Sequence, residues 1–100
     1  MDFFKIILLC DTEDFIFDLS SKDQNKISGA INFLRNRKFD SVYIKQIRGS
    51  IKELRVKKYR FLFFIHQNTL YFTNAFVKKT TKTPKREIEL AEKLQNIILN

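Results

Sequence analysis

The sequence contains few of the residues that build linkers, disulfides and metal sites. Among its 100 residues are two glycines, one proline, one cysteine, one histidine and no tryptophan. So little glycine and proline excludes a flexible linker or a low-complexity tract. A single cysteine excludes an internal disulfide, and together with a single histidine it excludes an ordinary zinc site. We therefore expect one compact domain over residues 1–100, without a metal or another cofactor.

Long hydrophobic segments are also missing. The apolar run from Phe3 to Cys10 is interrupted by Lys5 and closed by Asp11. It is shorter than the roughly 18–20 residues of a membrane helix, and no small-residue cleavage site follows it. Because Cys10 lies inside this run, we interpret it as a buried, inert thiol rather than a nucleophile. The sequence predicts a soluble, cytoplasmic protein with no membrane partner.

Positive charge is abundant and unevenly distributed. The formal net charge is +8, yet the segment from Arg35 to Arg86 holds 15 Lys and Arg against only Asp40 and Glu53. The first 34 residues carry three lysines and six acids, and the segment after Arg86 is also net negative. Such a concentration is typical of a surface that meets phosphates. The alternative is a basic face that serves only solubility.

Two helices are predicted from apolar residues at helical spacing. Ser21-x-x-Gln24 has the form of a capping box before the first, which we place at Lys22–Lys38. Gly29 inside this helix predicts a close packing contact, because glycine is otherwise unfavourable there. Thr83-Pro84 is predicted as the N-cap and first position of the second helix, which runs to the C-terminus. A short helical turn is expected over Phe15–Leu19.

Alternating apolar residues predict the strands. One strand covers residues 53–57, and Tyr59–His66, apolar on both faces, is predicted to be central. A turn at Gln67-Asn68 leads to Leu70–Val77, whose alternation predicts one face with Leu70, Phe72 and Phe76 and an opposite face with Tyr71, Thr73, Ala75 and Val77. Phe3–Leu9 is predicted as a first strand, either buried on both faces or paired with the later hairpin.

These elements give the order β-α-β-β-β-α and an α+β fold. We expect a small antiparallel twisted sheet with N-terminal helices and a C-terminal helix, the helices lying on one sheet face.

Basic residues lie at three neighbouring strand ends. Arg55 and Arg60 come from adjacent strands joined by Lys57-Lys58, and Lys78–Lys82 follows the next strand. We expect these side chains to converge on one area of the surface. There the arginines would offer paired donors to phosphate oxygens, and the lysines would offer compact positive charges. Tyr59 and Tyr71 would offer ring faces to unstacked bases.

Each cation also has a simpler interpretation. Lys57 and Lys58 could be solvated turn charges, and Lys78 and Lys79 could likewise be only solvated. Arg55 could pair with Glu53 or with an acid of the last helix.

The basic region also carries the spacing of a known family. Its motifs are Lys45-x-Ile47-x-Gly49-x-Ile51-x-Glu53-Leu54-Arg55-Val56, Tyr59-Arg60-Phe61, and Ala75-Phe76-Val77-Lys78-Lys79-Thr80-x-Lys82-Thr83-Pro84-x-x-Glu87-Ile88. Over roughly residues 45–95 this pattern resembles the phage-derived branch of HigB-type toxins in the RelE/ParE superfamily. It departs from that pattern at Thr73-Asn74, where relatives often have leucine-histidine before the Ala-Phe pair.

The resemblance implies a RelE-like fold and the toxin of a type II toxin–antitoxin system. Such toxins are endoribonucleases, or mRNA interferases, that cut mRNA on the ribosome. The ribose 2′-hydroxyl attacks the adjacent phosphate without a metal, and basic side chains stabilise the charge that develops. Carried over by position, the expected catalytic residues are Arg55, Arg60, Lys78, Lys79 and Lys82. The expected RNA-binding residues are Arg48, Lys57, Lys58, Tyr59 and Lys85.

The resemblance further implies three partners: mRNA, the ribosome, and a small HigA-type antitoxin with a helix-turn-helix domain. It leaves the general base unassigned. Histidine is the residue type whose unperturbed pKa is near neutrality, but His66, the single histidine, lies away from the basic loop in sequence. A lysine whose pKa is lowered by neighbouring charges is the alternative. Two other functions stay open, a gyrase-directed poison on the same fold and a plain RNA-binding or phage structural module.

Overall fold

The computed structural model describes residues 3–100, which form a five-stranded sheet with helices on both faces. The elements, in chain order, are β1 (Lys5–Leu8), α1 (Thr12–Phe17), α2 (Ser21–Arg35), a 3₁₀ turn (Phe39–Ser41), β2 (Tyr43–Arg48), β3 (Ile51–Val56), β4 (Tyr59–His66), β5 (Thr69–Val77) and α3 (Lys85–Leu99). None of the helices found in residues 3–100 is long and apolar enough to cross a membrane.

The sheet has the strand order β1-β5-β4-β3-β2. Strands β2 to β5 form an antiparallel meander, whereas β1 runs parallel to β5, from Lys5 opposite Thr69 to Leu8 opposite Phe72. The α+β class, with N-terminal helices and a C-terminal helix around a small sheet, is therefore confirmed. The sheet is mixed rather than wholly antiparallel, because β1 joins β5 in the parallel direction, and the chain from α1 to β4 supplies the long connection that a parallel pair requires.

Helices cover both faces of the sheet. On one face, Ile27 and Leu34 of α2 pack into a core with Leu54, Phe61 and Phe72. On the other, Ala91 of α3 packs against residues of β3 and β4, namely Ile51, Leu62 and Phe64. The expectation of helices on a single face is wrong. Since β4 is apolar on both sides, each side has to be covered to remove it from water.

A β-bulge in β5 reverses the predicted alternation of that strand. Leu62 pairs with Asn74 but Phe63 pairs with Phe72, so Thr73 is an extra residue. Its buried hydroxyl donates to the Leu62 carbonyl oxygen over 3.2 Å. A one-residue insertion exchanges the faces of everything that follows. Phe76 consequently lies on the α3 face, and the predicted alternation after residue 72 is wrong.

Several element ends also differ from the sequence-based expectation. Helix α2 is capped by Ser20, whose hydroxyl accepts from the Asp23 amide over 3.2 Å, and it ends at Arg35 rather than Lys38. Strand β1 is a short edge strand with half-buried side chains, so burial on both faces is wrong, whereas the alternative of pairing with the later hairpin is confirmed by its pairing with β5. Cys10 follows it in a turn with φ +57° and is exposed, so its predicted burial is wrong.

Candidate functional site

A narrow cleft opens where β3, β4 and the segment after β5 meet. The structure brings all five sequence-predicted catalytic residues to its wall: Arg55, Arg60, Lys78, Lys79 and Lys82. The remaining lining residues are Glu53, Phe76, Thr80, Thr81, Thr83 and Pro84. The expected convergence of cations from three strand ends is therefore observed.

Strand register explains the convergence. Arg55 lies directly opposite Arg60, and Arg60 lies opposite Phe76. Just past the end of β5, the Lys78 amide donates to the Lys58 carbonyl oxygen over 2.7 Å, which holds the loop beside the β3–β4 turn. Because the Thr73 bulge puts Phe76 on the α3 face, the chain that follows Phe76 enters the cleft on the same side as both arginines.

A buried carboxylate anchors the cluster. Glu53 is 1% exposed; its Oε1 accepts from Arg55 Nε over 2.9 Å and its Oε2 accepts from the Thr83 hydroxyl over 2.6 Å. Like charges directly opposite each other in a sheet repel, and this carboxylate offsets the repulsion between Arg55 and Arg60. The sequence indicated Glu53 only as one of two partners for Arg55. Its bond to Thr83 also explains why Thr83 is not the N-cap of α3, a position that Pro84 occupies.

Arg60 is largely enclosed, with 8% of its surface exposed. Its Nη1 donates to the carbonyl oxygens of Lys57 and Tyr59, over 2.9 Å in each case, so the side chain holds the β3–β4 turn. Within residues 3–100, its other guanidinium nitrogens have no hydrogen-bond partner. One side of Arg60 is thus structural, and the other remains available at the cleft.

The lysines of the loop are exposed. Lys78, Lys79 and Lys82 form no ion pair with any residue in the described part of the chain, and the Thr80 hydroxyl donates to the Lys82 carbonyl oxygen over 2.7 Å. The cleft encloses only about 10 Å³, roughly the space of a single water molecule. A phosphodiester would therefore lie across the rim, where exposed ammonium groups can reach it, rather than enter the cleft.

Two of the predicted RNA-binding residues belong to a contact between α2 and the sheet. Asp23 accepts from Lys57 Nζ and from the Tyr59 hydroxyl, over 2.6 Å in both cases. These two bonds, the one from Lys57 first, hold the pKa of Asp23 below its usual value, and the bond to Asp23 raises the pKa of Tyr59. Tyr59 is 4% exposed, so its ring is part of the core and offers no face to a base.

The other predicted contacts divide into near and distant residues. Lys58 and Lys85 are exposed and adjoin the cleft, through the bond of Lys58 to Lys78 and the position of Lys85 after Pro84. Arg48 is distant. It makes a two-bond ion pair with Glu92 of α3, each bond 3.0 Å long, at the opposite end of β3 from Arg55.

Tyr71 and His66 are also away from the cleft. The Tyr71 ring stacks on Phe64 at a centroid separation of 5.0 Å, within the core beneath α3. His66 ends β4, six residues after Arg60, and the rise of a strand makes that about 20 Å. Within residues 3–100, no three His, Cys, Asp or Glu side chains lie close enough together to hold a metal ion.

Comparison with known proteins gives one family match. The family model described as "Phage derived protein Gp49-like (DUF891)" matches residues 14–96. The matched segment begins within α1, ends within α3 and contains every residue of the cleft. No curated protein matches the chain.

Proposed function

Since the chain belongs to the Gp49-like family of phage-derived proteins, we propose that it is the toxin of a HigB-type toxin–antitoxin system and acts as an endoribonuclease on mRNA. The observation that supports this proposal is the clustering of five cations at one cleft, three of them lysines without an ion-pair partner among residues 3–100. Unpaired, exposed ammonium groups beside one buried and one half-buried guanidinium group form a site suited to a phosphodiester.

The proposed reaction uses the RNA's own nucleophile. The ribose 2′-hydroxyl loses its proton as its oxygen bonds to the adjacent phosphorus. The 5′-oxygen of the next nucleotide takes up a proton as its bond to the same phosphorus breaks. The products are a 2′,3′-cyclic phosphate and a 5′-hydroxyl. Negative charge on the phosphate increases on the way to the pentacoordinate phosphorane, so preorganised cations stabilise the transition state more than the ground state.

The cleft residues divide this work. Arg55, fixed by Glu53, directs its guanidinium at the phosphate oxygens, and the partner-free nitrogens of Arg60 face the same region. Lys78, Lys79 and Lys82 supply charge from the loop, while Lys58 and Lys85 contact neighbouring phosphates. In this proposal mRNA is cut on the ribosome, and a HigA-type antitoxin restrains the free protein.

The loop lysines give the cleanest test, because Arg55 and Arg60 both make hydrogen bonds that hold the fold. The double substitution Lys78→Ala with Lys82→Ala removes two exposed charges at the cleft. We expect cleavage to fall by about 10²-fold or more, the size of effect that follows loss of a single preorganised donor. The measurement is the mapping of 5′ ends on ribosome-bound transcripts after expression of each variant.

A matched control removes the same amount of charge elsewhere. Lys22 and Lys93 are exposed residues of α2 and α3, so Lys22→Ala with Lys93→Ala changes net charge equally and should leave cleavage unchanged. Equal cleavage by the two double variants would refute the proposal. DNA breaks in place of RNA cuts would favour the gyrase-directed alternative, and harmless expression of the intact chain a binding module.

A further inference from the structure

An exposed aromatic ring lies directly beside the cationic cleft. Tyr43 begins β2 and is 64% exposed. In the β2–β3 register it lies opposite Arg55, whose Cζ is 5.3 Å from the centre of the Tyr43 ring. Arg55 therefore contacts Glu53 on its own strand and Tyr43 on the next, while most of the tyrosine ring remains in water.

A groove adjoins the same arginine on the side of α2. It has a volume of about 320 Å³, and its wall includes Arg55, Tyr43 and the half-exposed Phe33. Gly29 also lines it, and a Cβ atom placed on that glycine would meet nothing within 4 Å. The close packing contact expected at Gly29 is thus wrong. The glycine instead contributes no side chain to the wall of this groove.

We propose that Tyr43 forms a nucleobase subsite beside the cleft, in which the base next to the bound phosphate stacks on the Tyr43 ring. The inference rests on the proposed function, since it requires single-stranded RNA at the cleft. Stacking needs an exposed ring within one nucleotide of the phosphate contacts. Tyr59 and Tyr71 cannot provide it, because the first is in the core and the second is covered by Phe64.

Arg55 links the cationic cleft to the Tyr43 ring, because it contributes to both. Its Nε is held by Glu53, so the guanidinium plane is fixed beside the tyrosine ring. A guanidinium within about 6 Å of a ring attracts it, so Arg55 holds the Tyr43 ring beside the cleft. Every base has a flat face, so the subsite would bind bases with little sequence preference.

The test uses oligonucleotides that bind but cannot react. A short 2′-O-methyl oligouridine lacks the attacking hydroxyl, and an abasic oligomer of equal length has the same phosphates without bases. We expect the intact chain to bind the oligouridine about 5- to 150-fold more tightly than the abasic oligomer, the range for one stacked base. Tyr43→Ala should lose that preference and Tyr43→Phe should keep it, as measured by fluorescence anisotropy.

A control separates this effect from the loss of any exposed ring. Phe17 is 66% exposed and lines a different groove, beside β1, so Phe17→Ala should bind like the intact chain. Thermal unfolding of each variant checks that the fold persists.

The outcomes distinguish this inference from the proposed function. If Tyr43→Ala keeps the full preference for the oligouridine, or if the intact chain has no such preference, the nucleobase subsite is wrong. The proposed function stands in that case, provided that Lys78→Ala with Lys82→Ala still lowers cleavage relative to Lys22→Ala with Lys93→Ala. If the intact chain binds neither oligomer and cuts no RNA, both proposals are wrong.

Discussion

At the scale of single residues, the cleft depends on one acid among many bases. Arg55 and Arg60 face each other across β3 and β4, an arrangement that repels. Glu53 offsets this repulsion from a buried position and also binds the Thr83 hydroxyl just before α3. With both oxygens occupied and almost no exposed surface, Glu53 positions Arg55 and does not itself reach RNA.

The substitution Glu53→Gln tests that role. It keeps the shape and one acceptor for Thr83 but removes the charge that pairs with Arg55. A buried hydrogen bond to a charged group contributes about 1.5–3 kcal/mol, so we expect the free energy of unfolding in urea to fall by that amount. Thr83→Ser, which keeps the hydroxyl, should stay close to the intact chain. Equal stability of Glu53→Gln and the intact chain would show that the carboxylate charge is not needed.

Residue roles were predictable from sequence only in part. The alternation of β4 places Tyr59 with Phe61 and Phe63, the two residues that prove to be its neighbours in the core. The alternation of β4 therefore predicts that Tyr59 is buried, although its aromatic side chain had suggested a contact with an RNA base. The partner of its hydroxyl, Asp23, is 36 positions earlier in the sequence, and no local pattern connects the two.

At the scale of elements, the three hairpin turns share a backbone feature. The first central residue of each has a positive φ: Gly49 at 56°, Lys57 at 55° and Gln67 at 55°. Glycine is the residue usually found at such positions. The Lys57 conformation is offset by the ion pair with Asp23, whereas the exposed Gln67 side chain has no hydrogen-bond partner within residues 3–100.

Gln67→Gly should therefore stabilise the protein. The left-handed conformation costs a non-glycine residue roughly 1–2 kcal/mol, and the greater freedom of glycine in the unfolded chain returns about 0.5–1 kcal/mol of that. We expect a net gain of about 0.5–1 kcal/mol in thermal or urea unfolding. Lys57→Gly is the comparison, because it relieves the same conformation but loses the Asp23 contact. A gain at position 57 as large as that at position 67 would contradict this explanation.

The elements themselves were predictable where burial was strong. Strand β4, apolar on both faces and bounded by turns, has the predicted limits Tyr59–His66. Strand β2 was not predicted, because it is an edge strand whose side chains are mostly exposed and give little alternation. The Thr73 bulge could not be predicted either, since it depends on hydrogen-bond register with β4. Tyr43 was missed as a candidate because it begins the unpredicted strand.

At the scale of the whole molecule, the two acidic flanks of the sequence neutralise cations outside the cleft. Asp23, from the N-terminal segment, pairs with Lys57, and Glu92, from the C-terminal segment, pairs with Arg48. The loop lysines at the cleft have no such partners in the described structure. The uneven charge seen in the sequence thus becomes a local positive field at one end of the sheet, where it favours the approach of a polyanion.

The central claim is that this field accelerates attack by the RNA's own 2′-hydroxyl, and one measurement tests it most directly. A transcript is first mapped for its cut site with the intact chain, and the same transcript is then prepared with a single 2′-deoxynucleotide on the 5′ side of that site. The account predicts 2′,3′-cyclic phosphate and 5′-hydroxyl ends on the unmodified RNA, and no cut at the modified position. Continued cleavage at the deoxynucleotide, or products with 5′-phosphate ends, would contradict it.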